Sequence, residues 1–331
     1  MKTFRALFLG LALLSPLVQA QLLASTPVQK AQDAQAFEAI GPLLTERLTD
    51  IQSLVVVLRG RVAYEFYRDG KPDTLRNVQS VEKSAISALY GIALAQGRIT
   101  SLDQPVVELM PEWRSLNADP RAASITLRHL LTFTAGFEVN DPRGITGRTM
   151  PPATAWGRPL VAAPGERFAY DNPVIGILVA ILEKVTGMPA QDYARQHLVA
   201  PLGMADFSYD RGLNMRTLDM AKLGLLFLQD GRWEGKPLLP AAYAQASTNA
   251  QNQGGSPVNL PYGQLWWVAS PATFMASGYA GQMIWVHRPT QAVVAVTSTV
   301  SQDSQQRGHA VQLVRNGLYA AIEGRVKMEA R

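Results

Sequence analysis

Apolar residues recur with a helical spacing near the start of the chain and with the spacing of strands directly after it. Between residues 31 and 48 the apolar positions lie three or four residues apart, which predicts an amphipathic helix. Residues 53–58 form an apolar run rich in valine, Gly60 supplies a turn, and residues 62–67 alternate. This order predicts a helix followed by a β-hairpin.

A long central stretch is predicted to consist of helices and loops. Residues 80–96 form an apolar helix that Gly97 ends, and from residue 99 to about residue 213 proline and glycine interrupt the chain often. The clearest helices of this stretch span residues 125–132 and 174–185. The pattern therefore predicts a helical lobe inserted between other elements.

The last third of the chain returns to strand patterns. A helix is predicted at residues 218–228 and a final helix at residues 305–322. Between them, three predicted strands span residues 263–268, 283–287 and 293–297. The order of elements predicts an α/β (α+β) fold, in which an antiparallel sheet flanked by N- and C-terminal helices carries the inserted helical lobe.

The first twenty residues have the pattern of an export signal. Lys2 and Arg5 precede an apolar run over residues 6–14, and small residues place a cleavage site after Ala20. This predicts a secretory signal peptide at residues 1–20 and an exported protein, either periplasmic or secreted. The alternative is an uncleaved anchor, for which the run is short. No later stretch has the length of a membrane span, so no stable membrane insertion is expected after cleavage.

Composition narrows the possible chemistry. The chain has no cysteine, which excludes disulfides, thiolate nucleophiles and cysteine-ligated zinc. Its four histidines form no close pair, and it contains neither a phosphate-binding loop nor a G-x-S-x-G turn. The net charge is +5 without a dense basic run, so no nucleic-acid partner is expected. We expect neither a metal nor an organic cofactor.

The first chemical signal is Ser80, followed by Lys83, at the head of the helix predicted over residues 80–96. A serine hydroxyl becomes a good nucleophile only when a neighbouring base takes its proton. A lysine three residues later lies on the same helical face and can be that base if burial lowers its pKa. The alternative is a helix-capping serine beside an exposed lysine.

Two further signals follow. Tyr170 and Asn172 lie two residues apart in a segment predicted to be extended, so both side chains would point the same way. Tyr170 is a candidate proton relay and Asn172 a candidate substrate contact; the alternative is a core tyrosine beside a helix cap. Ser277 and Gly278 precede a predicted strand, where small residues would let substrate approach and a backbone N–H would help form an oxyanion hole. The alternative is an ordinary glycine-rich turn.

In this order, the three signals resemble those of the serine β-lactamase and penicillin-binding-protein superfamily. The resemblance is nearest to its class C-like esterases and 6-aminohexanoate-dimer hydrolases, and it extends from about residue 55 to the last predicted helix. The supporting stretches are Ile92–Ile99, Leu102–Val106, Ile125–Thr132, Glu183–Met188 and Pro201–Met204.

The resemblance implies a role for each residue. Ser80 would be acylated, Lys83 and Tyr170 would handle its proton, and Asn172 would position lysine and substrate. Backbone N–H groups of Ser80 and Tyr279 would form the oxyanion hole. Which of Lys83 and Tyr170 is the general base stays open.

One position departs from the family pattern. The third motif usually begins with lysine or histidine, whereas this chain has Ala276. A cation there would hold a substrate carboxylate through a charge-assisted contact worth about 1.5–3 kcal/mol. Its absence favours esters or small amides over β-lactams and peptide C-termini.

Five residues are candidates for lining a pocket. Trp266, Trp267 and Tyr279 can line an apolar acyl pocket, and the alternative is that the two tryptophans belong to the core of a strand. Trp156 and Arg158 lie in a loop at residues 143–164 that is long enough to be a lid.

The sequence therefore predicts one catalytic domain over residues 21–331. Its α/β lobe would comprise residues 30–80 and 215–325, and its helical lobe residues 97–213. The predicted activity is serine-dependent hydrolysis of a small ester or amide through an acyl-enzyme. The alternatives are β-lactamase or D,D-peptidase activity and a non-catalytic binding module of the cell envelope. The sequence does not fix the oligomeric state.

Overall fold

The computed structural model describes residues 22–139, 150–300 and 304–329, with side chains left out at residues 304–307. Most of the described chain folds around one sheet and one group of helices. The predicted signal peptide at residues 1–20 and residues 143–149 of the predicted lid lie outside the described residues.

The main sheet has eight described strands, and every pairing within it is antiparallel. Its strand order is β2-β1-β13-β12-β11-β10-β9-β8, so the first hairpin lies beside the last strand of the chain. The strands of this sheet are β1 (Ile51–Leu58), β2 (Arg61–Tyr67), β8 (Asn252–Gly255), β9 (Leu260–Tyr262), β10 (Trp267–Ser270), β11 (Thr273–Gly278), β12 (Gln282–His287) and β13 (Ala292–Ser298). The short strands outside it are β3 (Arg76–Asn77), β4 (Ser208–Tyr209), β5 (Leu213–Met215), β6 (Arg232–Trp233) and β7 (Lys236–Pro237).

Helices cover the sheet and form the inserted lobe. The helices are α1 (Pro27–Ala36), α2 (Ile40–Pro42), α3 (Glu82–Ala95), α4 (Val106–Leu109), α5 (Leu127–Leu131), α6 (Pro152–Trp156), α7 (Pro173–Thr186), α8 (Ala190–Ala194), α9 (Thr217–Leu228), α10 (Ala241–Ser247), α11 (Ser304–Leu313) and α12 (Tyr319–Glu329). Wider π-type turns at Leu43–Arg47, Arg195–Val199 and Val314–Leu318 continue α2, α8 and α11. The elements thus confirm the predicted fold: an antiparallel sheet, terminal helices and a helical insertion.

The central strands are buried because helices pack on the sheet. Helix α9 packs across β1, β12 and β13. It approaches so closely that a Cβ atom at Gly224 would lie 2.7 Å from side-chain carbons of Ile284 and Val293. The side chains of β13 are all buried, as are nearly all of those of β1, which explains their unbroken apolar runs.

Charged side chains join the terminal helices to the first hairpin. Arg325 on α12 is fully buried and its Nε lies 2.6 Å from Oδ1 of Asp33 on α1. Arg61 on β2 contacts both Asp33, at 3.1 Å, and Glu329, at 2.9 Å. We call Asp33, Arg61, Arg325 and Glu329 the terminal ion cluster.

Helix α3 packs against the helical lobe. Nearly every residue from Lys83 to Ala93 is buried, which accounts for its apolar sequence. Tyr90 on α3 donates its hydroxyl to the carbonyl of Leu178 on α7 at 2.8 Å, fixing the two helices against each other. The start of α3 is thereby held in place between lobe and sheet.

Three predictions of element boundaries are wrong. The single helix predicted over residues 31–48 is interrupted, because α1 ends at Ala36 and α2 begins at Ile40. The first part of the strand predicted at residues 263–268 is not a strand. Leu265 has a left-handed φ of 61°, which a strand does not allow. Gly263 lies so close to Ser247 that a Cβ atom there would be 2.1 Å from the carbonyl oxygen of Ser247. Only residues from Trp267 onward extend into a strand. The final helix also continues past residue 322 to Glu329, where the terminal ion cluster holds it.

Among the described residues, no single helix is both long and apolar enough to cross a membrane. Only the bent pair Pro173–Thr186 and Ala190–Val199, which meets at 74°, satisfies the length and hydropathy criteria together.

Candidate active site

Ser80 lies in a short 3-10 turn, Gln79–Val81, that leads directly into α3. Lys83 lies one turn further on, is 5% exposed, and places its Nζ 3.0 Å from Oγ of Ser80. The alternative of an exposed lysine is therefore wrong. A buried amine in hydrogen-bonding contact with a serine hydroxyl is the arrangement that nucleophilic catalysis requires.

The residue before Ser80 has an unusual backbone conformation that the sequence does not predict. Gln79 has a left-handed φ of 52°. Its backbone N–H donates to Oδ1 of Asn77 at 3.0 Å, and its side-chain amide donates to the same oxygen at 2.6 Å. Non-glycine residues in this region of φ cost free energy and occur often at functional sites, where surrounding contacts hold them.

Tyr170 is buried next to the lysine. The Nζ of Lys83 lies 5.0 Å from the centroid of the Tyr170 ring. The ring stacks on Trp267 at 5.9 Å and meets the edge of Phe133 at 5.2 Å. Tyr262 completes this aromatic group, and burial raises its pKa well above the ordinary value. These contacts leave Tyr170 little freedom to move.

Asn172 is buried at the position preceding α7. Its φ of −64° and ψ of −40° are helical, so the prediction that Tyr170 and Asn172 share one extended segment is wrong at Asn172. Asn172 and Lys83 nevertheless line the same cleft, which has a volume of about 450 Å³. Glu82, Tyr209 and Arg211 line it as well.

A buried ion pair lies beside the segment that carries Tyr170 and Asn172. Asp171, between the two candidate residues, accepts hydrogen bonds from both terminal nitrogens of Arg158, at 3.0 and 2.7 Å. Burial raises the pKa of Asp171, while the positive charges of Arg158 and Lys83 oppose that rise. Arg158 also donates to the carbonyls of Ala155 and Glu138. We call Arg158 and Asp171 the loop ion pair.

The loop ion pair corrects the interpretation of Arg158 and Trp156 as pocket residues. Arg158 supports the loop from behind, and neither residue lines the cleft. Trp156 is fully buried and donates its indole N–H to the carbonyl of Trp113 at 3.0 Å. The described part of the predicted lid contains helix α6.

The third signal forms the end of β11 rather than the head of the following strand. Ala276, Ser277 and Gly278 pair with β12, opposite Ile284, Met283 and Gln282 respectively. Strand β10 pairs only with the earlier part of β11 and leaves the end of β11 uncovered on that side. The turn that carries Ser80 lies against β11.

The contact between β11 and this turn is tight. A Cβ atom at Gly278 would lie 2.7 Å from the carbonyl oxygen of Val78 and 3.0 Å from Cβ of Gln79. Tyr279 follows in a short turn in which Ala280 has a left-handed φ of 61°. Glycine at position 278 is therefore required by packing against the turn that carries Ser80.

Trp266 does not lie in the candidate site, and its prediction as a substrate-binding residue is wrong. Its side chain is fully buried and packs against Phe227 of α9, at 4.9 Å, and Phe274 of β11, at 5.3 Å. The break in the strand at Leu265 directs Trp266 to the core and Trp267 towards Tyr170. Trp267 is the tryptophan that contacts the site.

The described residues contain no group of three or more His, Asp or Glu side chains arranged to hold a metal ion. The candidate side chains that lie at or just before the starts of α3 and α7 are those of a serine, a lysine, a tyrosine and an asparagine.

A protein-family comparison matches residues 52–318 to the model described as beta-lactamase. Among curated proteins, esterase EstB from Burkholderia gladioli is 29% identical over 173 residues, which is 46% of this chain and 42% of that protein. The chain therefore aligns with less than half the length of that relative.

Solved structures agree with the family match at the level of the fold. A putative beta-lactamase from Bacteroides dorei superposes with a TM-score of 0.72 and 18% identity, covering 88% of this chain and 98% of that chain. A putative 6-aminohexanoate-dimer hydrolase from Bacillus anthracis superposes with a TM-score of 0.70 and 19% identity, covering 88% and 82%.

Proposed function

Because this chain belongs to the beta-lactamase family, we propose that it is a serine hydrolase that acts on small esters or amides through an acyl-enzyme at Ser80. The observation that carries this proposal is the 3.0 Å contact between Nζ of the buried Lys83 and Oγ of Ser80. A binding module of the cell envelope would have no use for this contact.

The proposed reaction has two steps. Oγ of Ser80 attacks the carbonyl carbon as its proton passes to Lys83 or Tyr170, and the leaving group departs with a proton. Water then attacks the acyl-enzyme in the same way and releases the acid. Lys83 lies against both Oγ of Ser80 and the ring of Tyr170, which supports a shared role of the two residues in moving the proton and leaves open which of them is the base.

The backbone N–H groups of Ser80 and Tyr279 are proposed to hold the oxyanion. This proposal is supported by the close packing of Gly278 on Val78 and Gln79, which brings the end of β11 to the nucleophile turn. Two fixed donors placed where negative charge develops lower the barrier most effectively in a site sheltered from water.

The environment of Ala276 supports the proposed substrate class. Ala276 is 2% exposed and brings no cation to the end of β11. A carboxylate on the substrate would therefore lack the charge-assisted contact that is worth about 1.5–3 kcal/mol. Arg211 also lines the cleft and carries a positive charge, so β-lactam hydrolysis is kept as the second candidate activity.

A substrate panel tests the proposal. We expect p-nitrophenyl esters and small anilides to be hydrolysed with an initial burst of nitrophenol for the best esters, and nitrocefin to be hydrolysed more slowly than the esters. Ser80→Ala should abolish every one of these activities. Nitrocefin turnover as fast as ester turnover would favour β-lactamase activity, and no turnover of any substrate would favour the binding module.

We further propose that the protein is exported to the periplasm or the medium after cleavage behind Ala20. The basis is the charged, apolar and small-residue order of residues 1–20. Mass analysis of the protein secreted by its host cell should give a mature chain beginning at Gln21. A chain that retains Met1 or Lys2 would contradict cleavage.

A further inference from the structure

A second cavity opens next to the cleft that holds Lys83. It has a volume of about 210 Å³, and its walls come from α3, α7, α8 and residues 204–215. We call it the side pocket. It meets the cleft along a shared rim, because Glu82, Val179, Glu183 and Tyr209 line both cavities.

The lining of the side pocket is almost entirely apolar. Leu89 and Ile86 come from α3, Leu182 from α7, Leu198 from the turn after α8, and Met215 from β5. Among the described residues that line it, the only charged side chains are Glu82 and Glu183, both on the shared rim. An apolar cavity of about 150 Å³ is large enough to bind benzene, so this pocket can hold a longer hydrocarbon group.

We propose that the side pocket binds the neutral aliphatic acyl chain of the substrate, which makes the enzyme selective for medium-chain acyl esters or amides. This inference rests on the proposed acylation of Ser80. It goes further because it names the part of the substrate that is recognised and the place where recognition occurs.

Helix α3 connects the nucleophile to the pocket. Ser80 precedes the helix, Glu82 forms the rim, and Ala85, Ile86 and Leu89 lie in the pocket wall. With a rise of about 1.5 Å per residue and about 3.6 residues per turn, Ala85 lies about 8 Å along the helix from Ser80 and on a different face of the helix. An acyl chain must therefore pass around the rim at Glu82 and exceed about six carbons to enter the pocket from an ester bond at Ser80.

The acyl chain fits better than the leaving group for a physical reason. The acyl group stays covalently attached to Ser80 through both steps, so its binding energy acts on acylation and deacylation. The leaving group departs after the first step. An apolar chain held in the pocket also keeps its carbonyl carbon in register with the nucleophile.

The rim selects against negative charge. Tyr209 donates its hydroxyl to Oε1 of Glu82 at 2.5 Å, and Glu183 lies on the same rim. A chain that ends in a carboxylate would pass these carboxylates and lose its hydration in an apolar pocket, which is costly. A neutral chain has neither penalty.

A chain-length series tests the proposal. With p-nitrophenyl esters from acetate to decanoate, kcat/KM should rise about fourfold for each methylene that enters the pocket, once the chain passes about six carbons. The half-ester of a dicarboxylic acid of equal length should react at least tenfold more slowly than the neutral ester. A profile that is flat or falls from acetate onward would overturn the proposal.

Substitutions in the wall of the side pocket test the same proposal with the chain-length series of esters. Ala194→Phe fills the pocket from α8 and should lower the ratio of octanoate to acetate turnover at least tenfold. Met204→Ala enlarges the pocket and should move the optimum to longer chains. The matched control is Ala200→Phe, because Ala200 is exposed and lines neither cavity, and this variant should leave the ratio as it is. Equal ratios in all three variants and the wild type would overturn the proposal.

Binding without chemistry separates this proposal from the proposed function. Calorimetry with Ser80→Ala and methyl esters of increasing length should show affinity rising about fourfold per methylene beyond six carbons, and Ala194→Phe should remove this rise in the same background. If wild type shows no turnover while this trend holds, the proposed catalysis fails and the pocket stands. If wild type turns over esters without the trend, the pocket proposal fails alone.

Discussion

Two of the regions that bury arginine–carboxylate contacts differ in what lies beside them. The terminal ion cluster joins α1, β2 and α12 and lies on the face of the molecule formed by the chain ends. The loop ion pair lies directly behind Tyr170 and Asn172, with Arg158 reaching across a loop to Asp171. Both are costly to break, but only the loop ion pair adjoins groups that we assign to the reaction.

Burial of charge does not by itself identify a functional site. The terminal ion cluster contains the most deeply buried arginine of the two regions, and it contacts no candidate catalytic residue. The start of α3 has a further property, because the buried Nζ of Lys83 lies 3.0 Å from the hydroxyl oxygen of Ser80. Function should therefore follow the contact of Lys83, while stability should follow the terminal ion cluster.

The largest effect is expected for Lys83. Lys83→Met should lower kcat on the best ester by about 10²–10⁴-fold, because the proton acceptor nearest to Ser80 is lost. The measurement is steady-state hydrolysis, with the folded state checked by circular dichroism. Lys184→Met is the matched control, since Lys184 lies at the surface and pairs with Glu112. Activity of Lys83→Met within tenfold of wild type would contradict the assigned role.

The terminal ion cluster should give the opposite result. Arg325→Met leaves Asp33 and Glu329 buried with fewer cations, so the free energy of unfolding should fall by about 3–5 kcal/mol. Activity per folded molecule should stay at the wild-type level. Denaturant unfolding and active-site titration measure the two quantities.

Arg315→Met, on the exposed side of the turn before α12, is the control for this variant and should change neither quantity. A fall in kcat per folded molecule in Arg325→Met would show that the terminal ion cluster affects activity as well as stability, which would contradict the distinction between the two regions.

The loop ion pair should affect both kcat and the free energy of unfolding. Arg158→Met removes the support of the loop, and a displacement of about 1 Å at Tyr170 or Asn172 can cost about 10²-fold in kcat. The double variant Arg158→Met with Asp171→Asn removes the unpaired charge as well. Its stability should recover towards wild type, while kcat should stay low and KM should change little. Full recovery of kcat in the double variant would show that the pair is only structural.

Much of this molecule can be predicted from its sequence, and the reasons differ by region. The hairpin, α3, α7, α9 and the last two strands of the chain are predicted because their apolar periodicity reflects burial within one element. The order of Ser80, Lys83, Tyr170 and Asn172 is likewise readable as a motif. Ser80 and Lys83 lie three residues apart across the start of α3, so their spacing predicts that the two side chains can meet.

Contacts between distant segments could not be predicted in this way. The pairing of Arg158 with Asp171 depends on the path of a loop, and periodicity carries no information about that path. Trp266 and Trp267 look equivalent in the sequence, and only the left-handed turn at Leu265 decides which of them contacts Tyr170. The positive φ of Gln79 has no sequence signal either, because glutamine seldom adopts it.

The smallest effect concerns pH and a residue outside both regions. The Nδ1 of His129 accepts a hydrogen bond from the backbone N–H of Thr126 at 3.2 Å, which requires a neutral ring nitrogen. Burial lowers the pKa of His129 below its ordinary value of 6.5, so the unfolded chain binds the proton more readily. The stabilisation is complete above pH 6.5 and is lost as the pH falls below it.

The free energy of unfolding should therefore decrease below pH 6.5 more steeply in wild type than in His129→Gln, by less than about 1 kcal/mol. Denaturant titrations at pH 5 and pH 7.5 measure this difference. Identical pH dependence in the two proteins would show that His129 does not titrate in the way its burial suggests.

Covalent labelling tests the central claim most directly. Intact mass would be measured for wild type, Ser80→Ala and Ser84→Ala after treatment with a fluorophosphonate. Ser84 is the matched control because it lies on the same helix, is buried, and donates to the carbonyl of Leu265. We predict a single adduct on wild type and on Ser84→Ala, and none on Ser80→Ala. An unlabelled, folded wild-type protein, or an adduct that persists in Ser80→Ala, would contradict the assignment of Ser80 as the activated nucleophile.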